Sequence, residues 1–166
     1  GEGIQWESEI TGAVLPLDYQ KAAEAGYREA VSTGILAGYE TVDIKAVLTG
    51  GSFHEVESCE MAFKIASSMA FKAASVTASP ILLEPVMKIE VVTPSKFLGD
   101  CLGDLNSRRA QIQSMEGDDT TQTIKGMIPL SETFRYATDL RSITTGRAAF
   151  SLEFDHYSPA PRSIIE

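Results

Sequence analysis

The residues best suited to chemistry lie in one glycine-led loop, residues 50–60, which carries an imidazole, a thiol and three carboxylates. Imidazole and carboxylate groups bind several divalent ions, so a metal site is the first hypothesis. Its candidate ligands are His54, Glu55, Glu57 and Glu60. Their spacing matches no established metal-binding signature, which leaves the hypothesis without motif support.

Two other interpretations apply to the same loop. The thiol of Cys59 could act as a nucleophile, activated by the helix it precedes and by His54, but no third group is evident to orient the pair. Alternatively, Ser58 and Glu60 simply cap the next helix. That interpretation leaves Phe53 and His54 unexplained, whereas an exposed aromatic ring beside an imidazole suits unpaired RNA bases.

A second group of candidates is polar and basic, and it lies in residues 102–109 and 136–142. Guanidinium groups match phosphate oxygens, and amide or hydroxyl side chains add neutral donors. The alternative is an ordinary helix end, where arginines favour the negative terminus or pair with a neighbouring acid. The candidates for phosphate contact are Asn106, Ser107, Arg108, Arg109, Arg141 and Ser142.

The composition excludes several classes of function. A net charge of -9 argues against nonspecific binding to nucleic acid. Phosphate-binding glycine loops of the known nucleotide-binding types are missing from the sequence, so this chain is not expected to hydrolyse nucleotides. No apolar run is long enough for a membrane span, and the two distant cysteines indicate free thiols. We expect a cytoplasmic or organellar matrix protein with no membrane partner.

The first half of the chain has to position the loop. Alternation predicts strands over residues 4–10 and 41–48, and helical spacing between Pro16 and Gly34 predicts a helix. A second helix, residues 58–75, is apolar on more than one side, and we expect it to be largely buried. Two prolines bracket residues 81–84, so we place the module boundary near 85.

The second half has the pattern βαββαβ. Strands are expected at residues 87–92, 110–115, 121–128 and 148–154, and helices at 95–108 and 131–143. This order is the ferredoxin-like arrangement of an antiparallel sheet covered on one face by helices. The expected organisation is therefore α+β, with modules at residues 1–85 and 86–157 and a loosely attached tail at 158–166.

Six strings in this order resemble the C-terminal region of translation elongation factor G of bacterial or organellar type, and the resemblance covers nearly the whole chain. The strings are GILAGY (34–39), GSFHEVES (51–58), EMAFKIA (60–66), LEPVM (83–87), GDLNSRR (103–109) and YATDLRS (136–142). The resemblance implies that the first module is domain IV, a partial ribosomal-protein-S5-like βαβ domain without its first strand. It implies that the second module is the ferredoxin-like domain V.

The resemblance also implies a function for each module. The tip of domain IV, here Ser52, Phe53, His54 and Glu55, would enter the decoding site and contact tRNA and mRNA during their movement by one codon. Domain V would contact RNA of the large ribosomal subunit through the six polar and basic candidates. The fragment itself would be a positioning lever with no catalytic residue, metal or cofactor, while GTP and Mg²⁺ would bind an N-terminal domain of the parent protein.

Two alternatives remain open at this point. The same region is shared by paralogues that recycle ribosomes or protect them from tetracycline. A small metal- or thiol-dependent enzyme built on the loop around His54 and Cys59 is the other class.

Overall fold

The structure, a computed structural model, describes residues 2–11 and 13–161. The chain divides into two compact units, Gly1–Ile81 (unit 1) and Leu82–Glu166 (unit 2). Both units mix helices with strands, which confirms the α+β class. None of the helices in the described ranges is both long and apolar enough to cross a membrane.

The described residues of unit 1 form two strands and two helices. They are β1 (Ile4–Ser8), α1 (Leu17–Thr33), β2 (Ile44–Leu48) and α2 (Glu60–Thr77). The two strands are parallel neighbours, with Ile4 opposite Ile44 and Ser8 opposite Leu48. Parallel strands need a crossover connection, and α1 supplies it. The small core lies where Trp6 of β1 and Phe71 of α2 both contact the ring of Tyr27.

Helix α1 begins and ends where the sequence predicts. Pro16 occupies the N-cap position, and Gly34 occupies the C-cap with a φ of 68°, a conformation that glycine adopts without strain. A different glycine explains why α1 and α2 pack closely. A Cβ atom on Gly26 would lie 2.0 Å from the backbone oxygen of Lys64, so only glycine permits this separation of the two helices.

The prediction that α2 is largely buried is wrong. Among its described residues only Phe71 and Ser75 are buried, because α1 covers one side of α2 and the two-stranded sheet is too narrow to cover more. Its exposed apolar residues are Met61, Ile65, Met69 and Val76. Helical spacing identifies apolar faces but does not show what covers them.

Unit 2 is a four-stranded antiparallel sheet with the order β4-β5-β3-β6, which confirms the ferredoxin-like topology. Its elements are β3 (Leu83–Pro94), α3 (Leu98–Ser107), β4 (Gln111–Gly117), β5 (Thr121–Pro129), α4 (Tyr136–Thr144) and β6 (Ala149–Pro159). Short 3-10 turns precede both helices, which therefore start later than predicted. The core lies between the helices and one face of the sheet, and it includes Ile89, Val91, Leu105, Ile124, Tyr136 and Leu140.

Both ends of unit 2 differ from the predicted boundaries. Residues 83–85, expected in a connection between modules, begin β3 and pair with β6. Pro85 is tolerated there because the β5 ladder starts only at Val86. Ser158 and Pro159, expected in a loose tail, belong to β6, and the N–H of Ala160 donates to the carbonyl of Leu82 at 2.9 Å. Residues 162–166 of the expected tail lie outside the described residues.

Candidate functional site: the tip loop and the arginine end

The loop between β2 and α2 ends in a closed turn, which we call the tip loop (residues 52–58). Its closure depends on Ser58, whose hydroxyl accepts the backbone N–H of His54 at 2.9 Å. The N–H of Ser58 in turn donates to the carbonyl of His54 at 3.0 Å. Two hydrogen bonds therefore fix the backbone on both sides of the turn at Glu55, Val56 and Glu57, while the His54 side chain stays exposed.

The role predicted for Ser58 as the helix N-cap is wrong. The N-cap of α2 is Cys59, and it makes no side-chain cap hydrogen bond. The hydroxyl of Ser58 closes the tip loop instead. Among the residues that the structure describes, no three His, Cys, Asp or Glu side chains lie close enough together to hold a metal ion, the four candidate ligands of this loop included.

Helix α1 anchors the tip loop through Tyr19. The Tyr19 hydroxyl donates to the carbonyl of Ser58 at 3.2 Å, and its ring stacks on Phe63 of α2 with centroids 4.6 Å apart. The ring of Phe53 packs against the same tyrosine at 5.9 Å. Phe53 is therefore half-buried, and the expectation of an exposed aromatic ring at this position is wrong. Its contact with Tyr19 helps to hold the loop in place.

Among the described residues, Val56 of this loop is the most exposed large apolar residue, at 95%. Sequence reasoning did not select it. An available signal was its place between Glu55 and Glu57 in a loop, where an apolar side chain has no obvious core to join. Neither glutamate forms an ion pair within the described part of the chain, so Val56 projects between two solvated carboxylates.

In unit 2, Arg108 ties the two helices together. Its guanidinium group lies 2.9 Å from Asp104 of α3 and 2.5 Å from Asp139 of α4, and it donates to the backbone carbonyl of Glu132 at 2.9 Å. It also lies over the ring of Tyr136, 5.1 Å from the centroid. Burial alone would lower the pKa of Arg108, but the hydrogen bonds to both aspartates outweigh it and raise that pKa.

Arg109 is also engaged within unit 2. Its guanidinium forms an ion pair with Glu84 and approaches Glu132 to 3.5 Å. The hydrogen bond with Glu84 is the main reason that the pKa of Arg109 is raised. The Arg108 side chain is only 14% exposed and that of Arg109 33%. Both arginines thus have internal partners, and their predicted role as RNA contacts stays a prediction.

The other four candidates are exposed, but helical geometry separates them. Asp104 and Asp139 face each other across the two helices through Arg108. Asn106 lies two positions after Asp104 on α3, and Arg141 lies two positions after Asp139 on α4. Two positions along an α-helix turn a side chain roughly to the opposite side of that helix. They therefore lie on opposite outer flanks of the helix pair. The remaining two are Ser107, whose hydroxyl donates to the Asp104 carbonyl at 2.7 Å, and Ser142.

The strand order brings three segments to one end of unit 2, which we call the arginine end. They are the connection from α3 to β4, the connection from β5 to α4, and the last residues of β6. Phe134 lies here and is 73% exposed. It is not part of a helix, because α4 starts two residues later, after Arg135 in a left-handed conformation with a φ of 65°. The acidic turn at Asp118 closes the β4-β5 hairpin at the opposite end.

Comparison with known proteins identifies both units. A family model described as "Elongation factor G, domain IV" matches residues 1–79, and one described as "Elongation factor G C-terminus" matches residues 81–166. A crystal structure of a protein from Thermus thermophilus is similar, with a TM-score of 0.83 and 39% sequence identity. That similarity covers 99% of this chain and 25% of the Thermus chain, so this chain spans about a quarter of that protein's length. The two matched regions together extend over nearly every residue, and the chain therefore belongs to the elongation factor G family, of which it carries domain IV and the C-terminal domain.

Proposed function

We propose that this chain is the ribosome-binding part of a GTP-dependent translocase, in which the tip loop enters the decoding site and promotes movement of tRNA and mRNA. The observation that carries the proposal is the closed tip loop, which presents His54 and Val56 on a backbone fixed by Ser58 and Tyr19. Such a loop acts by its shape, because its binding geometry exists before the partner arrives.

The charges of the tip support contact by shape more than by ionic attraction. Glu55 and Glu57 flank the protruding Val56, and the whole chain carries a net charge of -9. Phosphate groups repel such a surface, so the tip would meet base edges, sugars or protein and would not follow an RNA backbone. The imidazole of His54 supplies a hydrogen-bonding group for such a contact.

Unit 2 would anchor the chain on RNA of the large ribosomal subunit. Among the predicted contacts, Asn106, Arg141 and Ser142 have exposed side chains that can reach a partner directly. Arg108 and Arg109 would instead set the shape of the arginine end through their ion pairs. GTP with Mg²⁺ would bind another domain of the parent protein. This chain would act as a positioning lever and transmit the effect of GTP hydrolysis to the tip loop.

The test replaces His54 with alanine in the parent protein and measures translocation and GTP hydrolysis separately. Loss of one hydrogen-bonding contact should slow translocation roughly five- to tenfold, with GTP hydrolysis nearly unchanged. Ser32→Ala is the matched control, since Ser32 is an exposed polar residue of the same unit at the opposite end of α1 from Tyr19. Equal translocation rates for the His54 variant and the control would exclude the proposed role of the tip.

A further inference from the structure

A recess of about 410 Å³ lies at the arginine end of unit 2, and no role has yet been assigned to it. Its lining includes the apolar residues Val86, Met127 and Pro129. Met127 lies between Gly126 and Ile128, which are buried on the helix side of β5, so its own side chain points to the helix-free face of the sheet. The volume falls within the roughly 300–1,000 Å³ that small-molecule sites occupy.

Each basic residue in the described wall of the recess lies beside a carboxylate. The guanidinium of Arg109 pairs with Glu84 and Glu132, and Nδ1 of His156 lies 2.6 Å from a carboxylate oxygen of Asp155. Among the described residues that line the recess, no basic group lacks a carboxylate partner, so a phosphate group would meet a carboxylate beside each of them. The recess therefore favours a neutral ligand.

The remaining wall groups are typical of base recognition. The Gln111 amide both donates and accepts hydrogen bonds, the Ser158 hydroxyl does the same, and the Glu84 carboxylate accepts. A nucleobase presents alternating donors and acceptors around a flat apolar ring, and the Met127 side chain offers a polarisable surface for that ring.

We propose that this recess binds an unpaired nucleobase of RNA, with the ring of the base against Met127 and its edge against Gln111, Glu84 and Ser158. The inference rests on the proposed function in one respect, that RNA is the partner of unit 2. It adds a specific subsite to that function, on the sheet face opposite the helices that carry Asn106 and Arg141.

Nuclear magnetic resonance can test the proposal without ribosomes, because the chain has only two histidines. His156 lines the recess and His54 belongs to the tip loop, so the ring proton signals of one serve as the internal control for the other. The variant His54→Gln assigns the two sets of signals. The chain is titrated with adenosine, guanosine, cytidine and uridine in turn, and with ribose 5-phosphate as the phosphate-bearing probe.

We expect a saturable shift of the His156 signals with at least one nucleoside, no shift of His54, and no response to ribose 5-phosphate. Gln111→Ala should weaken the nucleoside about fivefold, the usual effect of one hydrogen bond. Gln113→Ala is the matched control, since Gln113 is exposed on the same strand and does not line the recess. Its affinity should equal that of the unmodified chain.

Three results would overturn the proposal: no response to any nucleoside, an equal response to ribose 5-phosphate, or equal weakening by both glutamine variants. The titration contains no ribosome, so its failure is distinct from a failure of the translocase proposal.

Discussion

The guanidinium of Arg108 lies 2.5 Å from the carboxylate of Asp139, and this ion pair joins the end of α3 to the beginning of α4. Asp104 completes the arrangement from α3 itself, one turn before the arginine. Arg108, which the sequence predicts to be an RNA contact, thus connects two helices. This position changes how its variants have to be interpreted.

Arg108→Ala should destabilise unit 2, because it leaves Asp104 and Asp139 facing each other without their shared cation. We expect a loss of about 2 kcal/mol in the free energy of unfolding, less than for a fully buried pair since Asp139 is partly exposed. Denaturant unfolding followed by circular dichroism measures it. Arg141→Ala, on an exposed flank of α4, is the control and should change stability by less than about 0.5 kcal/mol. Equal stability of the two variants would contradict the role assigned to Arg108.

The same reasoning applies to ribosome binding. Reversing Arg108 and Arg109 to glutamate should weaken pelleting with ribosomes, but part of the loss would come from disturbed packing at the arginine end. Arg141→Glu, which keeps both ion-pair systems intact, separates direct contact from structure. We expect it to weaken pelleting while the unfolding transition is unchanged. Unchanged pelleting would remove Arg141 from the set of anchors.

Ser58→Ala should loosen the tip loop without unfolding unit 1. The variant removes the acceptor of the His54 N–H, a hydrogen bond of about 1 kcal/mol. Hydrogen exchange at the His54 amide should accelerate roughly fivefold, with the free energy of unfolding lowered by no more than about that amount. Ser52→Ala, in the same loop and exposed, should leave the exchange rate unchanged. An unaltered rate in Ser58→Ala would show that the loop is held by other contacts.

Two glycine substitutions should have opposite signs. Gly26→Ala places a methyl group against the backbone of Lys64 and should cost about 3 kcal/mol or more in unit 1. Gly103→Ala lies on exposed helix α3 with open space around it and should stabilise unit 2 by about 1 kcal/mol. The single tryptophan, Trp6, reports unit 1 by fluorescence, and circular dichroism reports both units. A Gly26→Ala variant as stable as the unmodified chain would contradict the close approach of α1 and α2.

Tyr136→Phe should stabilise unit 2 and make it less sensitive to alkali. The Tyr136 hydroxyl is buried and has no hydrogen-bond partner among the described residues, so its removal should gain about 1 kcal/mol. Burial raises the pKa of Tyr136 well above its ordinary value. The stability that unit 2 gains from keeping this tyrosine neutral is therefore fully present below about pH 10, where the unfolded tyrosine is also neutral. It is lost as the pH rises further.

The buried Cys101 thiol acts in the same direction. Burial raises its pKa too, so unit 2 should lose stability from about pH 9 upwards. Unfolding curves from pH 7 to 11 measure both effects. Tyr136→Phe should reduce the fall in the free energy of unfolding with pH above pH 10, whereas the part of that fall caused by Cys101 should remain. A slope identical in the variant would mean that the tyrosine does not remain neutral in the folded unit.

The predictions from sequence succeeded where the signal is local. Pro16 and Gly34 determine the ends of α1 because one residue type at each end meets the requirement of a helix terminus. The strand and helix order of residues 83–159 was enough for the ferredoxin-like topology, since that order has few compact solutions. The family resemblance is also carried by short strings.

The errors arose where a residue's environment depends on distant parts of the chain. Phe53 was expected to be exposed because its partner, Tyr19, is more than thirty positions away. The exposed face of α2 was expected to be buried because periodicity does not specify the width of the sheet beside it. The internal partners of Arg109, which are Glu84 and Glu132, are more than twenty positions away, and no local pattern predicts them.

The attachment of the tip loop to Tyr19 also has a mechanical consequence. The tyrosine lies in the first turn of α1, and Phe63 on which it stacks lies in the first turn of α2, so both helices meet the base of the loop. A force applied at the tip loop would therefore reach α1 through the hydrogen bond between Tyr19 and the Ser58 carbonyl, and α2 through the stacked rings of Tyr19 and Phe63. The two helices would share that load, so a shift of the tip loop would disturb both.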